Sequence, residues 1–195
     1  MKTLIIIPFL LFCLLLGVPS YSADFNKGLT AAQNGDFTTA LKEWKPLAEE
    51  GNAVAQFNLG QMYRKGDGVP QDYKEAVRWY TLAAEQGQVD AQFNLGVMYD
   101  LGQGVPQDYK EAVRLYRLAA EKGFTEAQYN LGSMYGNGTG VIQDFIYAHM
   151  WWNIAASNGV DKGNKEKVEG MMNSSDISEA QRLARECVKK NYKGC

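Results

Sequence analysis

The sequence predicts an all-α fold, an α-solenoid of stacked helix–loop–helix repeats with capping helices at its ends. Three observations predict it. Residues recur at a step of 36 through the middle of the chain: Leu59, Leu95 and Leu131, then Gly60, Gly96 and Gly132, then Tyr63, Tyr99 and Tyr135. Ala76, Ala112 and Ala148 keep the same step, as do Gly87, Gly123 and Gly159. Within a unit, Tyr73, Ala76, Val77, Tyr80, Ala83 and Ala84 fall on one face of a helix with 3.6 residues per turn. Helix-starting and helix-stopping residues stand at the ends of these segments.

Residues 1–22 read as a signal peptide. Met1-Lys2 gives a basic start, and Leu4 to Leu16 is apolar except for Pro8. Ser20 and Ser22 put small residues three and one positions before a cut after Ser22. The apolar run is short for a membrane span, so no stable insertion is expected after cleavage. Cys13 follows the bulky Phe12 inside that run and does not suit lipid attachment.

Residues 23–52 read as a degenerate N-terminal capping repeat. Asp36, Ala40, Trp44, Ala48 and Gly51 stand one step before Asp72, Ala76, Tyr80, Ala84 and Gly87. Gly28 lies 8 residues before Asp36, whereas Gly60 lies 12 before Asp72, so the leading unit lacks the glycine-rich insertion. Trp44 and the Tyr63, Tyr99 and Tyr135 series are expected in the core.

Residues 53–160 hold three full repeats. The first helix of a unit runs like Ala55 to Tyr63, the second like Tyr73 to Ala84. Asp72 with Glu75, and Asp108 with Glu111, make an aspartate form of the capping box. Between the helices lie Gly66-Asp67-Gly68-Val69-Pro70 and its counterparts from Gly102 and Gly138. No strand precedes these loops and no Lys-Ser or Lys-Thr follows the glycines, so they read as turns and not phosphate cradles. Trp79 and Trp151 lie on the flank of the second helix, as an exposed contact pair or packed between units. For Trp151, packing on the next unit or the C-terminal helix is the expectation.

Residues 161–195 read as a C-terminal helical cap. A short helix is expected within 162–172, and a second from Asp176-Ile177-Ser178-Glu179 to about Lys190. An oxidising compartment lets Cys187 and Cys195 pair and close a loop that steadies the terminus; the alternative is two free thiols near a frayed end.

Lys and Arg number 20 against 22 Asp and Glu, for a net charge of −2, which argues against a nucleic-acid binder resting on bulk basic charge. One histidine and three cysteines leave little for a classical zinc site, and no metal and no cofactor are expected. The single histidine, His149, stands where earlier units carry Val77 and Val113, and is expected in the core or at its boundary.

The strings Ala-Gln-Phe-Asn-Leu-Gly-x-Met-Tyr, Gly-x-Gly-Val-Pro-Gln-Asp-Tyr-Lys-Glu-Ala and Ala-Ala-Glu-x-Gly resemble the Sel1-like repeat, a relative of the tetratricopeptide repeat with a longer loop. The resemblance covers most of the chain after Ser22. It implies a non-catalytic scaffold that binds other proteins or cell-envelope components, often in a bacterial periplasm. The expected location is therefore the periplasm, or outside the cell, and the expected partner a protein or peptide of unknown identity. In such stacks the first helices line a concave groove. By analogy, the partner-binding residues are Phe57, Asn58 and Gln61, then Phe93, Asn94 and Val97, then Tyr129, Asn130 and Ser133. Asparagine offers both a donor and an acceptor to an extended backbone, and an aromatic flank adds apolar contact.

Two other readings follow from the same resemblance. A cysteine-rich branch of the family is linked to β-lactam binding and hydrolysis, which would make this chain a β-lactam or cell-wall hydrolase. This chain has no cysteine within its repeats and lacks Ser-x-x-Lys, Ser-Asp-Asn and Lys-Thr-Gly, so no catalytic residues are nominated. The second reading is a structural factor that binds peptidoglycan.

Overall fold

The computed structural model describes residues 23–160 and 163–195. The expected signal peptide lies outside the described residues. The helices are α1 (Phe25–Gln33), α2 (Phe37–Glu49), α3 (Ala53–Lys65), α4 (Tyr73–Glu85), α5 (Val89–Leu101), α6 (Tyr109–Ala120), α7 (Thr125–Asn137), α8 (Phe145–Ser157), α9 (Asn164–Glu169) and α10 (Ser174–Lys189). No strand is present among the described residues. Helices pair as α1 with α2, α3 with α4, α5 with α6 and α7 with α8. Each second helix also packs on the first helix of the next pair, and α9 and α10 both pack on α8. This is the predicted all-α solenoid.

The helices start where side chains satisfy their free N–H groups. Asp72 accepts from the amides of Lys74 and Glu75 at 2.8 and 3.1 Å, and Asp108 repeats this with Lys110 and Glu111 at 2.9 and 3.1 Å. The reciprocal half of the expected box is replaced. Glu75 accepts from Arg78, and Glu111 accepts from Arg114, because a guanidinium one turn on makes a stronger charge-assisted bond than a neutral backbone N–H. Helix α10 begins before Asp176: Asn173 is its cap and accepts from the Asp176 amide at 2.9 Å.

Glycine sets the distance between helices. A Cβ on Gly60 would lie 2.5 Å from the Tyr80 ring, and one on Gly132 would lie 2.8 Å from the Trp152 ring. A second set ties neighbouring units together. Gly68, Gly104 and Gly140 have φ of 70°, 75° and 72° and press on the first residue of the preceding unit's second helix: Phe37, Tyr73 and Tyr109.

A buried amide stitches each unit to the one before it. Gln56, Gln92 and Gln128 donate through Nε2 to the carbonyls of Ala48, Ala84 and Ala120 at 3.0, 3.1 and 3.2 Å. These carbonyls belong to the last turns of helices and also accept from the amides of Gly51, Gly87 and Gly123 at 3.1, 2.9 and 2.9 Å, so the glutamine adds a second donor to each.

At the N-terminal end Trp44 is buried and donates to the Phe25 carbonyl at 3.2 Å. The Tyr63, Tyr99 and Tyr135 series is half-buried, packed at the edge of the core and not within it. Glu43 is wholly buried, with Lys27 Nζ at 2.6 Å and the Asp24 amide donating at 3.0 Å. Trp79 and Trp151 do not form an exposed pair. They are 4% and 1% exposed, because each fills the wedge between two units. Trp79 joins Leu59 and Met62, and Trp151 joins Leu131, Ala184 and Cys187, the last two on α10. Cys187 and Cys195 are joined in a disulfide with Cα atoms 5.6 Å apart, so the free-thiol alternative does not describe this terminus. His149 is wholly buried, as its register predicts, and its Nε2 lies 2.6 Å from Glu169 Oε1 on α9.

Candidate functional site

Helices α3, α5 and α7 carry the nine expected groove residues at the same three register positions. All nine are half-buried. The aromatic edge serves largely in packing. Phe57 lies against Tyr80 with ring centres 5.9 Å apart, and Phe93 lies against Tyr116 and Phe124 at 5.8 and 4.9 Å. The Tyr129 hydroxyl accepts from Asn164 Nδ2 at 2.5 Å, so α9 closes over the third unit.

The polar edge differs from unit to unit. No hydrogen bond ties down Asn58 among the described residues. Asn94 donates to its own helix, at the Asp90 carbonyl 2.7 Å away. The Asn130 side chain works against the rise of the Tyr116 phenol. Gln61 accepts two bonds from Arg64 at 3.1 and 3.0 Å, Val97 packs on the core, and Ser133 donates to the Tyr129 carbonyl at 3.2 Å.

Two further residues belong to this face. Arg64 and Asp100 lie one helical turn beyond Gln61 and Val97, at equivalent positions. The sequence signal was available: a cation, an anion and then Gly136 at one register position of an otherwise regular repeat. Tyr116 donates to Asp100 Oδ2 at 3.1 Å. Burial pushes the Asp100 carboxyl up, and the Tyr116 bond works against that. Burial pushes the Tyr80 phenol up to about 12, with the Arg64 charge acting the other way. Burial, and then the charge of Asp100, raise the Tyr116 phenol as well.

The structure brings Asn130 and Ser133 together with Asp100 and Asn137 in a cleft of about 280 Å³ between α5 and α7. A second cleft of about 300 Å³, bounded by α7, α8 and α9, shares Ser133 and adds Asn164 and Lys167. Phe57, Asn58 and Gln61 belong to α3 and stand apart from both. What this face offers chemically is a row of donors and acceptors with apolar edges, suited to hydrogen-bonding a backbone. Among the described residues, no three His, Cys, Asp or Glu side chains are grouped to hold a metal ion. No helix among them is long and apolar enough to cross a membrane.

A family model described as the Sel1 repeat matches residues 53–88, 89–124 and 125–160, more than half of the chain. The chain belongs to the Sel1 repeat family. Sel1 repeats generally mediate protein–protein interaction as non-catalytic scaffolds. The crystal structure of a Sel1 repeat protein from Oxalobacter formigenes is 40% identical, with a TM-score of 0.59, over 67% of this chain and 98% of that one. A protective antigen present in uropathogenic Escherichia coli strains, with an SLR fold, is 28% identical with a TM-score of 0.53. That match covers 86% of this Sel1 chain and 45% of the antigen. An exopolysaccharide production negative regulator of Rhizobium leguminosarum bv. viciae is 37% identical over 57 residues. The match takes in 29% of this chain and 21% of the regulator, so this Sel1 chain spans about a fifth of that relative's length.

Proposed function

We propose that this Sel1 protein is a non-catalytic adaptor of the cell envelope, which holds an extended segment of a partner protein against the face of its first helices. The observation that carries this reading is the ladder of Asn58, Asn94 and Asn130, repeated on three parallel helices and half-exposed on each. An asparagine donates and accepts at once, which matches the alternation of C=O and N–H along an extended backbone. Asp100 beside Asn130 favours a basic or donor side chain there, and Arg64 in the preceding unit favours an acidic one. The basic-then-apolar N-terminus and the Cys187–Cys195 bond support an exported, oxidising location. The exopolysaccharide regulator, a relative named for control and not for chemistry, is compatible with an adaptor role.

The test is a crosslinking capture from envelope extract with the parent protein and an Asn58→Ala, Asn94→Ala, Asn130→Ala variant of equal helicity. A protein captured by the parent and lost by the variant supports the adaptor and its face. An identical captured set from both would sink the proposed face.

A further inference from the structure

Two departures from the internal repeat converge on one place. The first concerns ring size. The register position held by Trp79 in the first full unit and Trp151 in the third is Leu115 in the second. Each tryptophan fills the wedge formed by its own helix, the first helix of its unit and the second helix before it. Leu115 sits in the same wedge, between α4, α5 and α6, and is smaller. A cleft of about 340 Å³ stands there, lined by Leu95, Leu115 and Leu118 with Gln92 and Tyr99.

The second departure concerns a hydrogen bond. The buried Gln56 accepts at Oε1 from Gln86 Nε2, 2.7 Å away, and the buried Gln128 accepts from Asn158 Nδ2 at 3.0 Å. Both donors stand 30 residues after their glutamine. In the second unit that position is Lys122, whose Nζ donates instead to the Gly87 carbonyl at 2.7 Å. Gln92 is 4% exposed, and its Oε1 is left without a partner. A buried acceptor without a donor is costly, so a donor arriving from outside is favoured.

The groups absent from the second unit are therefore an aromatic ring and an N–H donor. We infer that this cleft is a recognition site, separate from the asparagine face, for a tryptophan side chain of a partner protein. The ring seats on Leu95, Leu115 and Leu118, and the indole N–H donates to Gln92 Oε1. Indole carries a donor and no acceptor, which matches a lone carbonyl oxygen. Glu85, at the end of α4, stands exposed at the rim; Glu111 and Arg114 also line the cleft but are bonded to each other, so the Glu85 carboxylate favours neutral or basic residues next to the tryptophan.

The experiment is a two-dimensional NMR titration of the isotope-labelled protein with N-acetyltryptophanamide and, separately, N-acetylphenylalaninamide. The tryptophan derivative is expected to give saturable shifts at the Gln92 side-chain amide and the Leu115 and Leu118 methyls. The phenylalanine derivative, without the donor, is expected to bind roughly fivefold more weakly. Leu115→Trp installs the ring that the other two units carry and is expected to abolish the shifts. Should that variant not fold, Lys122→Gln decides: by supplying the amide seen at Gln86, it is expected to remove the preference for tryptophan over phenylalanine. The Asn58→Ala, Asn94→Ala, Asn130→Ala variant is expected to titrate like the parent, which separates this site from the adaptor face. Equal binding of both derivatives, equal shifts in Leu115→Trp, or no saturable shift in the parent, each overturns the proposal and leaves a cleft that holds water only.

Discussion

Gly60 shows how one hydrogen atom in place of a methyl group decides a helix pair. The Tyr80 ring lies where a Cβ would be, and it is wholly buried between helices with little room to turn. Gly60→Ala is expected to destabilise the protein by about 1–3 kcal/mol, measured by urea unfolding. A change below about 0.5 kcal/mol would mean that α3 and α4 shift apart freely. Asp100 is a second single-residue case. Burial raises its pKa in the folded state, so its contribution favours folding below the ordinary aspartate range and is lost as pH rises through the folded value. At pH 7 the ionised carboxylate therefore opposes folding. Asp100→Asn keeps an acceptor for the Tyr116 hydroxyl and is expected to raise stability at pH 7 by less than about 1 kcal/mol, since the site is partly exposed. The gain should vanish below about pH 3.5, where the parent carboxyl is itself neutral. Unfolding curves at the two pH values check the sign. A gain that grew on acidification would contradict it.

At the scale of the element, boundaries follow from local chemistry. Asp72 satisfies two free amides of α4, and Asp72→Ala is expected to cost about 1 kcal/mol in unfolding free energy. The same change at Asp67, in the loop, serves as the neutral comparison. These caps were legible from the sequence because an N-cap needs only a short acceptor at the right offset. The fate of Glu75 and Glu111 was less so, since their choice between a backbone amide and an arginine is a competition of strengths. The start of α10 slipped for a similar reason: Asn173 and Asp176 are both good caps, and the one that extends the helix further is used. The terminal disulfide closes a short loop behind α10, with Asn191 and Tyr192 at φ of 51° and 64° reversing the chain. Reduction is expected to release this tail first. Limited proteolysis with and without reductant should show new cleavage after Lys190 or Lys193, with the core fragment unchanged. Loss of the whole fold on reduction would show that the bond supports more than the tail.

Across the whole molecule, stability accumulates from contacts between neighbours. The last unit has no following repeat, and α9 and α10 cover it: Val168 packs on Trp152, while Ala184 and Cys187 pack on Trp151 and Ile154. Removing residues 161–195 is expected to uncover Trp151 and Ile154. A rise in dye binding to exposed apolar surface and a lower, broader thermal transition would report it. A truncated chain that unfolds like the parent would mean that α8 needs no cover.

The 36-residue step, the helix pairs and the membership of a repeat family were determined by the sequence alone, because a solenoid buries only near neighbours and so writes its packing as a local period. The site was legible in part. The asparagine ladder follows from the period, and so do its outliers Arg64 and Asp100, once the register is written out. Tertiary structure alone decided that Trp79 and Trp151 are inside, because a flank residue is exposed or buried according to the angle at which the next unit arrives. It also decided that α9 closes over Tyr129, and that Lys122 turns to Gly87 and leaves Gln92 without a donor. A long side chain can reach several partners, and only the distances between packed helices select one.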